Sequence, residues 1–301
     1  MLGARYRREM TDDQGSVPSE RRYDEVGDHH VVVVASRQGR PNLPIDDCPF
    51  CIGGREAPDP YEVKVIDNRW PSMADGRCEV VLYTDDHEMS LGRLGRVGIR
   101  RVIDTWAERS EVLGARDDVE YVLIFENRGA DVGATIHHPH GQIYAYDHVP
   151  KRVAQRLRFP WKPDAAPGDR LVLRSQGWSV VVPYAPTYPI SLEISPDVRI
   201  PDLVSLSDVE RDAFADVLGE VLRRLDAMYD CEIPYMMWVN QRPRVMEGYE
   251  DAWLHVEIVS PWRSKGVIRH IAAAEVAGGE YFLPVTPESV AQTLAEVGAR
   301  R

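Results

Sequence analysis

The residues of this chain best suited to chemistry are the two histidines of His138-Pro139-His140-Gly141-Gln142. A neutral imidazole can attack phosphorus at pH 7 because its ordinary pKa lies near 6.5 and no separate base is needed. His140 is therefore a candidate nucleophile. If the segment is extended, Gln142 lies on the same face as His140, where its amide can donate a hydrogen bond to a phosphoryl oxygen. The alternative is a histidine-rich surface loop, since paired histidines alone are a weak signal.

A second group of residues has the spacing of a metal site. Cys48 and Cys51, in Cys48-Pro49-Phe50-Cys51, are spaced so that both thiolates reach one ion. His87 and His138 are the best candidates for the two further ligands of a Cys2His2 zinc site. Such a site would be structural, with no open position for substrate, and would anchor the segment that bears His140. A thioredoxin-like redox pair is the alternative, although that role requires a helix start after a buried strand rather than the polar loop found here.

The composition restricts the possible partners. A net charge of -12 over 301 residues argues against a nucleic-acid backbone as the main partner. Small anions need only a local positive cluster, and Arg37 and Arg40 would supply one beside a pocket; two ordinary surface arginines are the alternative. The longest aliphatic run, Val31 to Val34, is too short to cross a bilayer. With no secretory signal pattern, we expect a cytoplasmic enzyme that does not bind membranes.

Short β-like runs alternate with a few amphipathic helices. We expect strands over 31–36, 61–67, 78–83, 120–127, 142–147, 171–175, 178–182, 190–195, 235–240 and 254–259. Helices are predicted over 94–113 and 151–158, from the capping box at Ser207 and from Thr286-Pro287.

The order of strands and helices is similar in the two parts of the chain. We expect a tail over 1–20, a first half over 21–160 and a degenerate second half over 161–301. In this scheme His255-Val256-Glu257 takes the place of His138-Pro139-His140. The alternative is coincidence among short patterns.

Taken together, these motifs resemble the galactose-1-phosphate uridylyltransferase family of the histidine triad superfamily, from about Arg21 to Ala295. The similarity is most specific in Phe125-Glu126-Asn127-Arg128-Gly129, Gly133 and the His138 to Gln142 motif. The resemblance implies an α+β fold of two tandem histidine-triad-like halves, with mostly antiparallel half-barrel sheets and flanking helices. It also implies a homodimer.

The resemblance assigns roles to individual residues. It implies ping-pong transfer of UMP from UDP-glucose to galactose 1-phosphate through His140, assisted by Gln142. It places one structural zinc on Cys48, Cys51, His87 and His138. It further implies substrate or nucleotide contacts at Arg37, Arg40, Asn68, Asn127, Thr135, His270 and Glu275.

The chain departs from the family pattern at two places. The family's second metal site uses a glutamate and three histidines, whereas the matching positions here are Arg156, Asn240, His255 and Glu257, so we expect that site to be absent. His270 stands where members often have lysine, and Glu275 aligns only across a one-residue gap. The alternatives for function are an NDP-sugar phosphorylase, a relative that prefers an adenine nucleotide, and a non-catalytic zinc-stabilised nucleotide-binding module.

Overall fold

The computed structural model describes residues 19–34, 48–158, 161–244 and 247–299. The first half contains β1 (Ser19–Asp24), β2 (His29–Val34), β3 (Lys64–Asp67), β4 (Cys78–Leu82), α1 (Gly95–Gly114), β5 (Tyr121–Arg128), β6 (His140–Tyr146) and α2 (Lys151–Arg158). The second half contains β7 (Leu171–Ser175), β8 (Trp178–Val181), β9 (Ile190–Pro196), α3 (Asp208–Tyr229), β10 (Tyr235–Asn240), β11 (His255–Ser260), β12 (Trp262–Ser264), β13 (Val267–Ile268), α4 (Ala273–Gly278) and α5 (Pro287–Ala299).

Nine of these strands form one antiparallel sheet in the order β3-β4-β6-β5-β10-β11-β9-β8-β7. The order β3-β4-β6-β5 is repeated, in reverse direction across the sheet, by β8-β9-β11-β10. A long helix follows the second strand of each set, α1 after β4 and α3 after β9. The structure thus confirms the prediction of two tandem α+β halves, and β5 pairs with β10 so that their strands form one continuous sheet.

The two faces of this sheet have different environments. Along β6, Gly141, Ile143 and Ala145 are buried, whereas His140 and Gln142 alternate with them and are only half-buried. The buried face packs against α1 and α3, whose core-facing side chains include Trp106 and Phe214. Burying one large apolar side chain stabilises the folded state by about 1.5–3 kcal/mol, so the contact with the helices stabilises the sheet. The opposite face of the sheet carries His140 and Gln142.

The helix predictions from capping signals are confirmed. Ser207 accepts a hydrogen bond from the backbone N–H of Glu210, and the Glu210 carboxylate accepts one from the backbone N–H of Ser207, forming the capping box of α3. Pro287 is the first residue of α5, and α2 spans the predicted 151–158. Among the described residues no helix combines the length and apolar character needed to span a bilayer.

Several elements were not predicted. Ser19 already opens β1, which pairs with β2 in a separate hairpin; the rest of the expected tail, 1–18, lies outside the described residues. The β12–β13 hairpin and α4 were also missed. Their sequences are short and lack a clear apolar period, so local pattern gives little signal. Residues 35 and 36 of the predicted strand 31–36 lie outside the described residues; the other strand bounds differ from the predicted ones by at most three residues.

Candidate active site and metal centre

The four predicted metal ligands meet in space. One ligand atom each from Cys48, Cys51, His87 and His138 lies within 4.8 Å of the others. The Cys51 Sγ is 3.4 Å from His87 Nδ1 and 3.7 Å from His138 Nδ1. Ligands of one tetrahedral zinc ion lie roughly 4 Å apart, and two thiolates with two imidazoles are a donor set that zinc prefers. The residues present therefore fit a closed, structural Zn²⁺ site.

Local backbone structure brings the two cysteines together. A tight turn bonds the N–H of Cys51 to the carbonyl of Cys48, and the N–H of Gly54 to the carbonyl of Cys51. Without a metal, burial raises the pKa of the Cys51 thiol to about 11. A bound divalent ion reverses this preference, because it stabilises the thiolate directly.

The tautomer of His138 is set by its surroundings. His138 is completely buried, and its Nε2 lies 2.7 Å from the Thr84 carbonyl oxygen. Because a carbonyl only accepts, Nε2 carries the proton and Nδ1 faces Cys51 with its lone pair. The Tyr61 hydroxyl, 2.8 Å from the same Nε2, donates to the Phe50 carbonyl. These contacts orient the imidazole as a metal ligand, a common arrangement around metal-binding histidines.

His140 is the first residue of β6, two residues beyond His138 of the metal-site cluster. Its Nδ1 lies 2.7 Å from the His138 carbonyl oxygen, so Nδ1 is the protonated nitrogen and the lone pair is on Nε2. The ring of Phe50 meets the His140 ring edge to face, with centroids 5.2 Å apart. The same segment that contributes His138 to the metal-site cluster therefore sets both the tautomer and the direction of the candidate nucleophile.

The amide of Gln142 is oriented by a short chain of hydrogen bonds. The backbone N–H of Trp70 donates to Asn68 Oδ1 at 2.9 Å, which makes Asn68 Nδ2 the donor side. Asn68 Nδ2 in turn donates to Gln142 Oε1 at 3.2 Å. The N–H groups of Gln142 are consequently directed away from Asn68, as donors.

Gly141 is required by its close approach to another side chain. A Cβ at this position would lie 2.0 Å from the Tyr83 hydroxyl oxygen and 3.2 Å from the Phe125 carbonyl oxygen. Tyr83 is itself almost fully buried, so it has no room to withdraw. Only glycine fits between His140 and Gln142 on this strand.

A cavity of about 290 Å³ adjoins the nucleophile. Its lining includes His140, Asn127 and Arg128, together with Trp262 of β12. The Trp262 indole N–H donates to the Asp131 carboxylate at 2.7 Å, which ties β12 to the loop after β5. Asn127 thus lines the same cavity as His140, and its predicted contact with the nucleotide stays a prediction.

The other predicted substrate residues lie beside this cavity, in a neighbouring cleft or outside the described residues. Thr135 is half-buried in the loop between two lining residues of this cavity, Ala134 and Ile136. Arg37 and Arg40 lie outside the described residues. His270 is exposed and lines a neighbouring cleft with Arg263, the residue after Trp262.

Glu275 has a largely structural environment. It is 5% exposed and forms an ion pair with Arg269. Its carboxylate also accepts hydrogen bonds at 2.9 Å from the backbone N–H groups of Ala272 and Phe282. These contacts cap α4, and the predicted contact of Glu275 with a sugar stays a prediction.

Comparison with known proteins decides the family. A sequence profile described as galactose-1-phosphate uridyl transferase, N-terminal domain, matches residues 57–150, and the profile of the C-terminal domain matches residues 135–299. A galactose-1-phosphate uridylyltransferase of Thermotoga maritima is 33% identical, covering 92% of this chain and 98% of the relative. The chain belongs to the galactose-1-phosphate uridylyltransferase family.

Further relatives agree with this assignment. The galactose-1-phosphate uridylyltransferase of Streptomyces lividans is 35% identical over 86% of this chain and 82% of its own length. A solved uridylyltransferase structure superposes with a TM-score of 0.83 at 27% identity, covering 93% of this chain and 98% of the other. An ADP-glucose phosphorylase from Arabidopsis thaliana, at 24% identity and a TM-score of 0.71 over 92% and 99% of the two chains, shares the fold.

The four positions that match the second metal site of the uridylyltransferase family also converge. Arg156 Nε lies 3.4 Å from His255 Nε2 and 3.5 Å from Glu257 Oε1, and Asn240 Nδ2 donates to the same Glu257 oxygen at 3.0 Å. A guanidinium is a cation and cannot ligate a metal, so these residues do not fit a metal ion.

One sequence prediction about the second half is wrong. His255 corresponds to His140 rather than to His138, because each opens its strand and each has Nδ1 close to the carbonyl of the residue two before it. The sequence pattern alone left this register undetermined, since the two segments share a histidine but no flanking residues.

Sequence reasoning also missed residues that support the site. Phe50, Tyr61 and Tyr83 contact or flank the two histidines, yet none is a metal ligand or nucleophile. Phe50 had a usable signal, because it lies between the two cysteines; Tyr61 and Tyr83 reach the site only through the folded sheet.

Proposed function

We propose that this member of the family transfers UMP from UDP-glucose to galactose 1-phosphate, with the nucleotide held covalently on His140. The single observation that carries the proposal is the hydrogen bond from His140 Nδ1 to the His138 carbonyl, which leaves the lone pair on Nε2. The names of the curated relatives from Thermotoga maritima and Streptomyces lividans support the substrates.

In the first half-reaction, His140 Nε2 attacks the α-phosphorus of UDP-glucose. A nitrogen–phosphorus bond forms, the bond from this phosphorus to the bridging oxygen breaks, and glucose 1-phosphate leaves with the electron pair. The imidazole becomes cationic, and its Nδ1–H bond to the His138 carbonyl stabilises that charge. Gln142 donates from its amide to the phosphoryl oxygens as negative charge develops on them.

In the second half-reaction, a phosphate oxygen of galactose 1-phosphate attacks the same phosphorus. The nitrogen–phosphorus bond breaks, its electron pair returns to His140 Nε2, and UDP-galactose is released. Neither half-reaction needs a proton to be moved, so the proposed route requires no general base beside His140. Dividing the exchange into two displacements lets one anion site serve both sugar phosphates.

The remaining predicted contacts belong to this proposal. Asn68, Asn127 and Thr135 would contact uridine or phosphate, and Arg37 and Arg40 would offset the phosphate charge. His270 and Glu275 would contribute to the sugar-phosphate site. The support is strongest for Asn68, which touches Gln142, and for Asn127, which lines the cavity of His140.

Zinc is the metal that we propose for the cluster of Cys48, Cys51, His87 and His138. Bound there, the ion would cross-link the Cys48–Cys51 turn to the backbone that presents His140, a purely structural contribution. We further propose halves bounded at 21–160 and 161–301, a homodimer and a cytoplasmic location. Sedimentation of the purified protein tests the dimer.

Isotope exchange tests the covalent route. The purified enzyme, given UDP-glucose and labelled glucose 1-phosphate without galactose 1-phosphate, should move label into UDP-glucose, and His140→Gly should not. Exchange that requires galactose 1-phosphate would contradict the proposal. Absence of any exchange with intact nucleotide binding would favour the non-catalytic binding module instead.

A second experiment tests the acceptor. UDP-glucose is incubated with galactose 1-phosphate and, separately, with inorganic phosphate, and the nucleotide products are separated. We expect UDP-galactose in the first reaction and little UDP in the second. Faster formation of UDP with phosphate would identify an NDP-sugar phosphorylase, and a preference for ADP-glucose as donor would identify an adenylyl-transferring relative.

A further inference from the structure

The second half contains a mirrored copy of the active-site residues. His255 opens β11 as His140 opens β6, and their Nδ1 atoms lie 2.8 and 2.7 Å from the carbonyl oxygens of Trp253 and His138. Trp238 is the cross-strand partner of Glu257, just as Phe125 is the partner of Gln142.

The same register extends to a pair of asparagines. Asn240 is the cross-strand partner of His255, and Asn127 holds the equivalent position two residues after Phe125 on β5. The arrangement of Asn127, His140 and Gln142 thus recurs as Asn240, His255 and Glu257. We call this second set the mirrored site. The amide of the first set has become a carboxylate in the second.

A guanidinium fills this mirrored site. Arg156, on α2, forms an ion pair with Glu193 of β9, lies 3.5 Å from Glu257 and points its Nε–H at His255 Nε2 across 3.4 Å. Glu193 and Glu257 are directly opposite each other on neighbouring strands, with side chains only 12% and 13% exposed. Two carboxylates this close and this buried cannot both stay ionised unless a cation lies between them.

The neighbouring groups hold the guanidinium in place. His255 is completely buried and carries its proton on Nδ1, so Nε2 accepts from Arg156. The Trp161 ring stacks on the His255 ring at a centroid distance of 3.8 Å, and the Arg156 guanidinium lies 5.4 Å from the Trp161 ring centre. Trp161 thus covers the His255 ring, while the Arg156 side chain keeps 32% of its surface exposed.

We propose that Arg156 is a built-in cation that replaces a divalent metal ion at the mirrored site, and that its removal opens a metal site formed by Glu193, His255 and Glu257. Two carboxylates and one imidazole are a ligand set for a hard divalent ion such as Mn²⁺. The disagreement with the second metal site of the family therefore has a physical cause: the positive charge is supplied by the chain itself.

The test is Mn²⁺ binding to zinc-loaded protein, measured by equilibrium dialysis and by loss of the free-Mn²⁺ electron paramagnetic resonance signal. The wild-type protein should bind no Mn²⁺ at this site, and Arg156→Ala should bind one equivalent per chain. Adding Glu257→Gln to Arg156→Ala should abolish that binding. Thermal unfolding of Arg156→Ala should shift to higher temperature with Mn²⁺, and that of the wild type should not.

Arg152→Ala is the matched control. Arg152 lies on the same helix and 3.5 Å from the same Glu257, but its side chain is 74% exposed and stands outside the mirrored site. We expect no Mn²⁺ binding in this variant. Equal Mn²⁺ uptake by Arg152→Ala would show that lost positive charge alone attracts the ion, and would overturn the proposal.

Two further outcomes would also overturn it. One is a second tightly held metal in the wild-type protein; the other is an Arg156→Ala protein that folds but takes up no Mn²⁺. If Arg156→Ala is insoluble, the neutral Arg156→Gln variant is refolded from urea with and without Mn²⁺. Recovery only with Mn²⁺ supports the proposal, and recovery in neither condition contradicts it. Metal uptake is measured without substrate, so the outcome is independent of the proposed transfer reaction.

Discussion

Asn68 and Gln142 are joined by a hydrogen bond of 3.2 Å from Asn68 Nδ2 to Gln142 Oε1. Because a backbone N–H holds Asn68 Oδ1, the direction of this bond is determined, and the Gln142 amide presents its own N–H groups away from Asn68. A donor that is oriented before substrate arrives costs no reorganisation when charge develops on the phosphoryl group. Asn68 is therefore a positioning residue in addition to its predicted nucleotide contact.

We expect Gln142→Ala to lower kcat by about 10²–10³-fold, the usual loss for one donor to a developing oxyanion. Asn68→Ala should lower kcat by about tenfold, because it acts through the same amide. In the double variant the two losses should not multiply. Steady-state kinetics with UDP-glucose and galactose 1-phosphate measures all three; fully multiplicative losses in kcat would show that Asn68 and Gln142 act independently.

Gly141→Ala should destabilise the protein by about 1–3 kcal/mol, because the new methyl group overlaps the buried Tyr83 hydroxyl. Tyr83→Phe in the same chain removes the closest atom and should recover part of the loss. Urea unfolding of the two single variants and the double variant gives the coupling. If the losses in free energy of unfolding of the two single variants simply add in the double variant, the close approach of Gly141 and Tyr83 is contradicted.

Cys51→Ser should remove the zinc that we propose and lower both stability and transfer activity, since the thiolate belongs to the four-residue cluster and a metal there would anchor the segment of His140. Cys231→Ser is the control, because this half-buried thiol lies after α3 and outside the cluster. Metal analysis should find one zinc in the wild type and in Cys231→Ser. Full zinc content in Cys51→Ser would refute the ligand assignment.

Glu126→Gln should change how stability depends on pH. Burial raises the pKa of Glu126 to about 7, although Tyr235 donates a hydrogen bond to its carboxylate and Arg128 lies nearby. An unfolded glutamate titrates near 4.5. Between these values the folded state binds more protons, so Glu126 makes the free energy of unfolding fall as the pH rises from about 4.5 through about 7.

The Gln variant lacks this contribution, so its stability relative to the wild type should increase by on the order of 1–3 kcal/mol from pH 5 to pH 8. Urea unfolding of both proteins at the two pH values measures the change. A difference in stability that is the same at pH 5 and pH 8 would mean that Glu126 does not titrate in this window.

The chemistry of the site was largely predictable from the sequence, because it depends on residue type and short spacing. The Cys48–Cys51 pair and the His138 to Gln142 motif determine by themselves which atoms can ligate or attack. The helices were predictable for a similar reason, since capping residues such as Ser207 lie next to the elements that they begin.

Contacts between distant segments were not predictable in this way. Tyr83 is behind Gly141 only because β4 pairs with β6, and Glu193 lies beside Glu257 only because β9 borders β11. Nothing in the local sequence of either residue indicates its partner. The equivalence of His255 with His140 likewise emerged only from strand register.

The central claim is tested most directly by trapping the nucleotide on His140. Wild-type protein is mixed with UDP-glucose labelled in the uridine and quenched before galactose 1-phosphate is added. We predict one labelled nucleotide per chain, stable in base and labile in acid as expected for a phosphoramidate, attached to the peptide that contains His140 and absent in His140→Gly. No protein-bound label from an active preparation, with activity dependent on both substrates being present together, would contradict the account.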